Sequence, residues 1–165
     1  MKNENLNLSF RTEIIGSDPA TVEEIVRSTG YFYDYEIPVA RELAEERLAK
    51  GEESGYFFVF AVVDEKVVAY SCYGPIACTN GSYDLYWIVT HQDWRAKGIG
   101  KQLLNKTIEE VKKLNGRMLI AETSTKDQYI PTRKFYENND FLLEATIVDF
   151  YEIGDGKAMY VKRFD

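Results

Sequence analysis

Residues 82–124 set the tightest limit on what this chain can fold into. SYDLYWIVT (82–90) is rich in aromatic and β-branched residues and reads as a strand. HQDWRAKG (91–98) breaks it, after which Ile99, Leu103, Leu104, Ile108, Val111 and Leu114 recur along one face of a long helix. Asn115-Gly116 stops that helix, and RMLIAETS (117–124) reads as the next strand. Strand, helix and strand in this order imply a parallel crossover, right-handed by default.

The rest arranges itself around that unit. LSFRTEII (8–15) reads as a first strand, Ser17-Asp18-Pro19 as a helix start, and VARELAEERLAKG (39–51) as a second helix closed by Gly51. YFFVFAVV (56–63) and KVVAYSCYG (66–74) flank a turn at Asp64-Glu65. A short helix near 129–139 precedes a closing strand pair, FLLEATIVDFYE and KAMYVKRF, around Gly154-Asp155-Gly156. The expected fold is α+β, with mixed α/β character, in the order β-α-α-β-β-β-α-β-α-β-β. One domain over residues 1–165 would hold a mixed sheet of about seven strands with helices on both faces. Residues 1–7 are polar and read as a flexible start.

Composition narrows the function classes. There are 27 Asp and Glu against 20 Lys and Arg, a net charge of -7, which argues against nucleic acid as a partner and tolerates a cationic substrate. No apolar run has the length of a membrane span and no secretory leader is visible, so a cytoplasmic protein without a membrane partner is expected. Cys72 and Cys78, in what reads as one extended segment, would lie roughly 20 Å apart, which is beyond disulfide reach. With His91 as the single histidine, no metal site is expected.

Gly98 and Gly100 then need a reason, since glycine disfavours a helix. A P-loop is excluded, because Gly100-Lys101 is followed by Gln102 and position 95 is Arg. A dinucleotide fingerprint is excluded because Leu103 stands where a third Gly belongs. The shared physics remains: first-turn amides lack partners inside the helix and sit at the positive end of its dipole. Absent Cβ atoms at Gly98 and Gly100 would let an anion approach, and Arg95, Lys97 and Lys101 add charge. A pyrophosphate suits such a turn; the plainer reading is a βα connection with solvated basic side chains.

Arg95-Ala96-Lys97-Gly98-Ile99-Gly100 matches the Arg/Gln-x-x-Gly-x-Gly/Ala pattern of the GNAT superfamily of acyl-CoA-dependent N-acetyltransferases. Glu122 at the next strand, Arg133 to Glu137 on the following helix and Phe141 beyond it extend the resemblance, as does the element order from residue 8 onward. Two positions depart from the pattern: Asp140 replaces a usual Gly, and Tyr129 stands where many relatives carry an Asn. The resemblance implies acetyl-CoA as co-substrate, with its pyrophosphate on Arg95, Ala96, Lys97, Gly98, Ile99, Gly100 and Lys101. It also implies that the pantetheine arm lies along Ile88, Val89 and Thr90, provided that strand edge is unpaired. Tyr136 matches the general acid for the departing thiolate, against simple packing as one of 12 tyrosines. Glu122 or Asp84 would assist deprotonation of the amine, against a surface ion-pair role for each. His91, just past the strand, is read as solvated or capping.

In this superfamily the segment between the first two helices often lines the acceptor site. Here it carries Tyr31, Tyr33, Asp34 and Tyr35, aromatic faces and a carboxylate suited to an ammonium, or else a plug for the core. The last hairpin could close that pocket or pair two chains into a homodimer. The expectation is direct acetyl transfer to a primary amine of a small molecule or peptide. Cys72 and Cys78 have no base beside them in sequence to support an acyl-enzyme. The rival is a non-catalytic acyl-CoA-binding sensor of the same fold.

Overall fold

A computed structural model describes residues 6–164; the expected flexible start at 1–7 lies, for residues 1–5, outside them. The strands are β1 (Leu8–Arg11), β2 (Phe57–Val63), β3 (Lys66–Pro75), β4 (Ser82–Thr90), β5 (Met118–Ser124), β6 (Leu142–Glu152) and β7 (Asp155–Arg163). The helices are α1 (Asp18–Ser28), α2 (Glu36–Lys50), α3 (Ile99–Lys113) and α4 (Ile130–Glu137). The strand order is β1-β2-β3-β4-β5-β7-β6. The β4–β5 pair is parallel, whereas β1–β2, β2–β3, β5–β7 and β6–β7 are antiparallel. This is the mixed seven-stranded α+β fold expected, including the parallel crossover through α3. The chain divides into two compact units, one holding residues up to Tyr73 with Trp87–Thr107, the other Gly74–Tyr86 with Ile108 onward.

In the first unit, strand alternation sorts side chains onto two helical layers. Phe58 registers opposite Cys72 and Phe60 opposite Tyr70, and all four pack with Val22, Ile25 and Val26 of α1 and Ile37, Ala40 and Ala44 of α2. The neighbouring positions point the other way: Ser71 meets Thr107 of α3 in a buried hydroxyl pair at 2.6 Å. The Tyr70 hydroxyl is buried without a hydrogen-bond partner among the described residues. Burial pushes both the Tyr70 phenol and the Cys72 thiol well above their ordinary values.

The entry into α1 differs from expectation. β1 ends at Arg11 rather than residue 15, and Ser17 makes no side-chain cap. Asp18, only 1% exposed, ties the helix start back to the preceding chain instead: its carboxylate takes both Arg11 guanidinium nitrogens at 2.8 Å and the Ile15 amide at 2.7 Å. Arg11 also lies 4.5 Å over the Phe60 ring. Pulling Ile15 toward Asp18 takes the chain off the sheet edge. α2 likewise starts at Glu36 rather than 39, because Pro38 falls in the first turn, where its missing N–H costs no helix bond. Gly51, at φ 61, closes that helix as expected.

In the second unit, Tyr83 and Leu85 register opposite Leu119 and Ala121, and these four face one way. Tyr83 donates to the Leu114 carbonyl at 3.4 Å, just past the end of α3. α4 covers the same face through Tyr136, whose ring lies 5.8 Å from that of Tyr160, the β7 residue opposite Ala121. β6 closes the sheet order and is exposed along its whole length. β3 ends at Pro75, so Cys78 lies beyond it, exposed, rather than in the same extended segment as the buried Cys72; both thiols are free.

Replacing Asp18 by Ala leaves the Arg11 guanidinium and the Ile15 amide without their shared acceptor. Urea denaturation is expected to show a loss of about 3 kcal/mol; a loss below 1 kcal/mol would show that Asp18 does not anchor α1.

Candidate active site

β4 gives way to a short 3-10 turn, Gln92–Trp94, before α3 begins. His91 caps that turn, its Nδ1 accepting the Asp93 amide at 3.2 Å while its own amide donates to the Val68 carbonyl at 2.9 Å. The Gln92 amide donates to Ser28 Oγ at 3.0 Å, tying the turn to the end of α1. The backbone then alternates: Arg95 is extended, Ala96 sits at φ 60 and Gly98 at φ 76. These two left-handed residues, with Lys97 between them, shape the turn that leads into α3.

Gly98 holds a left-handed dihedral that favours glycine, and a Cβ there would meet no atom of this chain within 4 Å. The Gly98 carbonyl accepts the first helical bond, from Gln102, so the amides of Ile99, Gly100 and Lys101 belong to the unbonded first turn. No acidic residue stands in that turn. Ile99 is buried and pins the helix start, while Arg95, Lys97 and Lys101 are exposed. Arg95 stacks 5.0 Å from the Tyr31 ring and Lys97 4.7 Å from the Trp94 ring, so two of the three cations are held by aromatic faces. The chemistry of the donor set fits a phosphate-bearing group.

Ile88, Val89 and Thr90 precede this turn in the same unit, Val89 buried and the other two half-buried. The registered β4–β5 ladder runs only from Ser82↔Met118 to Leu85↔Ala121, while β4 continues to Thr90.

The connector between α1 and α2 divides its aromatic residues. Phe32 packs 5.0 Å from Trp87 against the core, which fulfils the plugging role for that residue alone. Tyr33 and Tyr35 stack on each other at 5.3 Å and are 47% and 72% exposed, with Asp34 exposed between them. Tyr31, half-buried, is turned toward Arg95.

The two candidate bases share one sheet face in the second unit. Asp84 registers opposite Ile120, so it points the same way as Glu122, two residues along β5. Glu122 registers opposite Met159, which places Lys157 on that face too, and Lys157 Nζ meets the Glu122 carboxylate at 2.6 Å. Lys157 also lies 4.2 Å over the Phe150 ring. Burial raises the Asp84 carboxyl above the usual carboxylate range; Glu122 adds to that rise and Lys157 opposes it. Glu122 is thus held by a cation, whereas Asp84 is half-buried and reluctant to ionise. Lys157 escaped the sequence reading, because its link to Glu122 depends on β7 lying beside β5, which no local pattern encodes.

Tyr136 belongs to the opposite face. It is 5% exposed, with Phe135, Phe141 and Tyr160 rings at 5.6, 5.4 and 5.8 Å, and burial pushes its phenol well up. The turn after α4 explains one departure from the family pattern. Asp140 adopts φ 65, a left-handed conformation that favours Gly and that Asp tolerates, while the Phe141 amide returns to the Tyr136 carbonyl at 3.1 Å. Among the described residues no group of three His, Cys, Asp or Glu is arranged to hold a metal ion.

Residues 21–141 match the Acetyltransferase (GNAT) family. The structure is similar to a GNAT-family protein from Desulfovibrio desulfuricans, with 42% identity, a TM-score of 0.93 and coverage of 94% of this chain and 98% of that one. At 19% identity, the PaiA N-acetyltransferase of Thermoplasma acidophilum, in complex with coenzyme A, gives a TM-score of 0.75 over 96% of this chain and 100% of that one. The ribosomal-protein-S18-alanine N-acetyltransferase of Escherichia coli, 16% identical, gives 0.73 over 94% and 93%. No curated protein sequence matches. The matched span covers most of the chain and contains the glycine turn, so this protein belongs to the GNAT family of acetyltransferases.

Proposed function

We propose that the protein is a cytoplasmic N-acetyltransferase that moves an acetyl group from acetyl-CoA to a primary amine by direct transfer. The observation that carries this reading is the turn before α3, where left-handed Ala96 and Gly98 lead into a basic, acid-free helix start with unbonded first-turn amides. Arg95, Lys97 and Lys101 would hold the phosphates, with the amides of Ala96 to Lys101 beneath them. Ile88, Val89 and Thr90 would carry the pantetheine arm through backbone bonds, as an added strand is carried. Acetyl-CoA supplies an acyl thioester whose sulfur must leave with a proton.

The protein's own groups then divide the proton transfers. Asp84 is the base: it shares a sheet face with Glu122, and no described hydrogen bond or ion pair engages its carboxylate. Glu122 is assigned to hold Lys157 and to shape the field at Asp84 rather than to take the proton. Tyr136, on the other face, keeps its proton across the physiological range and delivers it to the leaving sulfur. Tyr31, Tyr33, Asp34 and Tyr35 would receive the ammonium through aromatic faces and one carboxylate, whether it belongs to a small molecule or a peptide.

The cofactor assignment is checked by calorimetry with coenzyme A. Gly98→Ala forces a Cβ into φ 76 and is expected to weaken binding at least tenfold; unchanged affinity would remove the turn from the site. The acid and base are checked by thiol release over a panel of amines. Tyr136→Phe and Asp84→Asn are each expected to lower kcat about 100-fold or more with coenzyme A affinity intact, and Glu122→Gln less than tenfold. Binding without turnover in the wild type would favour a sensor, and greater damage from Glu122→Gln would transfer the base to that residue.

The Asp84 carboxyl also fixes the sign of the pH dependence. A base must be ionised, so kcat/KM should rise as pH climbs through a value above the usual carboxylate range. Stability runs oppositely: the contribution of protonated Asp84 is complete below its unfolded value and lost as pH rises through the folded one. Glu122→Gln removes a repelling charge and is expected to move the acid limb of the profile to lower pH. A limb that stays put would detach Asp84 from the rate.

A further inference from the structure

A cleft of about 330 Å³ lies within the first unit and includes none of residues 95–101 in its lining. It is bounded by the start of α1, the β2–β3 turn and His91 at the end of β4. That volume stands at the lower end of small-ligand sites and suits a guest of amino-acid size rather than a coenzyme. Ile15, Ile25, Val62 and Val67 give it apolar walls, and Ile15 is 47% exposed. The Arg11–Asp18 pair also lines the cleft, with its charges already matched.

The side chains of Glu24, Glu65 and Lys66 line the same cleft, exposed and without a hydrogen bond or ion pair among the described residues. Glu65 stands at φ 65, a left-handed turn position where Asn, Asp or Gly is the usual choice, so the hairpin displays this carboxylate against a backbone cost. His91 adds a donor. Its Nδ1 accepts the Asp93 amide, so the neutral ring carries its proton on Nε2, which has no described partner. A plain anion in the cleft would meet Glu24 and Glu65 uncompensated, and a plain cation would desolvate Lys66 without giving it an acceptor. A small zwitterion answers both signs, and an aliphatic side chain on it would cover Ile15, Val62 and Val67. A carboxylate on the Nε2–H also holds the tautomer whose bare Nδ1 caps Gln92–Trp94, the turn that leads into residues 95–101.

We infer that this cleft binds a small aliphatic α-amino acid as an effector, with the ammonium on Glu24 and Glu65 and the carboxylate on Lys66 and His91, and that its occupancy firms the turn before α3. The binding stands independently of the acetyl-transfer reading; the coupling to coenzyme A rests on it.

The test is calorimetry of the full chain with L-leucine. Binding is expected below about 10 mM. Glycine, leucinamide and 4-methylpentanoate, each lacking the side chain or one charge, should bind at least about tenfold more weakly. Glu24→Gln and Lys66→Gln, at exposed positions, should each weaken L-leucine about tenfold with unchanged thermal midpoints; if one loses stability, the other decides. Tyr35→Ala, in the proposed acceptor segment, should bind L-leucine as the wild type does. Saturating L-leucine should tighten coenzyme A about fivefold, and coenzyme A should tighten L-leucine by the same factor. Absence of L-leucine binding, equal binding of the three controls, or a loss in Tyr35→Ala but not in the Gln variants would overturn the cleft assignment. L-leucine binding that leaves coenzyme A affinity unmoved would overturn the effector role. A chain that binds L-leucine but no coenzyme A would sink the acetyl-transfer reading and the effector role while confirming the cleft.

Discussion

A helix start has amides that no residue of the helix can bond, and this chain leaves them facing a basic turn. Everything proposed about the co-substrate follows from that constraint. Ser28 and His91 brace the approach, Ile99 is sunk into the core, and left-handed residues at 96 and 98 shape the turn. Stacking of Arg95 and Lys97 on Tyr31 and Trp94 limits the freedom those cations would otherwise lose on meeting an anion.

Alternation along β5 is the second organising rule. Ala121 belongs with Tyr160 and, through it, Tyr136; Glu122 belongs with Asp84 and Lys157. One strand thereby separates a dry aromatic face, where a phenol holds its proton, from a charged face, where carboxylates and a lysine adjust one another. A one-residue slip in register would exchange the two sets and leave neither chemistry in place.

Much of this was legible in sequence because the signals are local. Period-two and helical spacing, Gly51 and the Asp64-Glu65 turn gave the element order, and residues 95–100 gave the family. What was not legible depends on contacts remote in sequence or on competition for a group. The shortening of β1 follows from Asp18 reaching back to Arg11 and Ile15, a contact that no local spacing encodes. What distinguishes the surroundings of Asp84 and Glu122 is the Lys157 ion pair, which arrives from the last strand. The place of Gly98 in the turn was legible, whereas its left-handed dihedral was not.

The dry setting of Tyr136 has a consequence for how such a catalyst would respond to its surroundings. A phenol whose burial raises it above its ordinary value would keep its proton at neutral pH. Whatever sensitivity to acidity the turnover shows must then originate with the incoming nucleophile and the carboxylates that receive it. Under the proposed roles, release of the thiol would be shielded from the medium and admission of the acceptor would not.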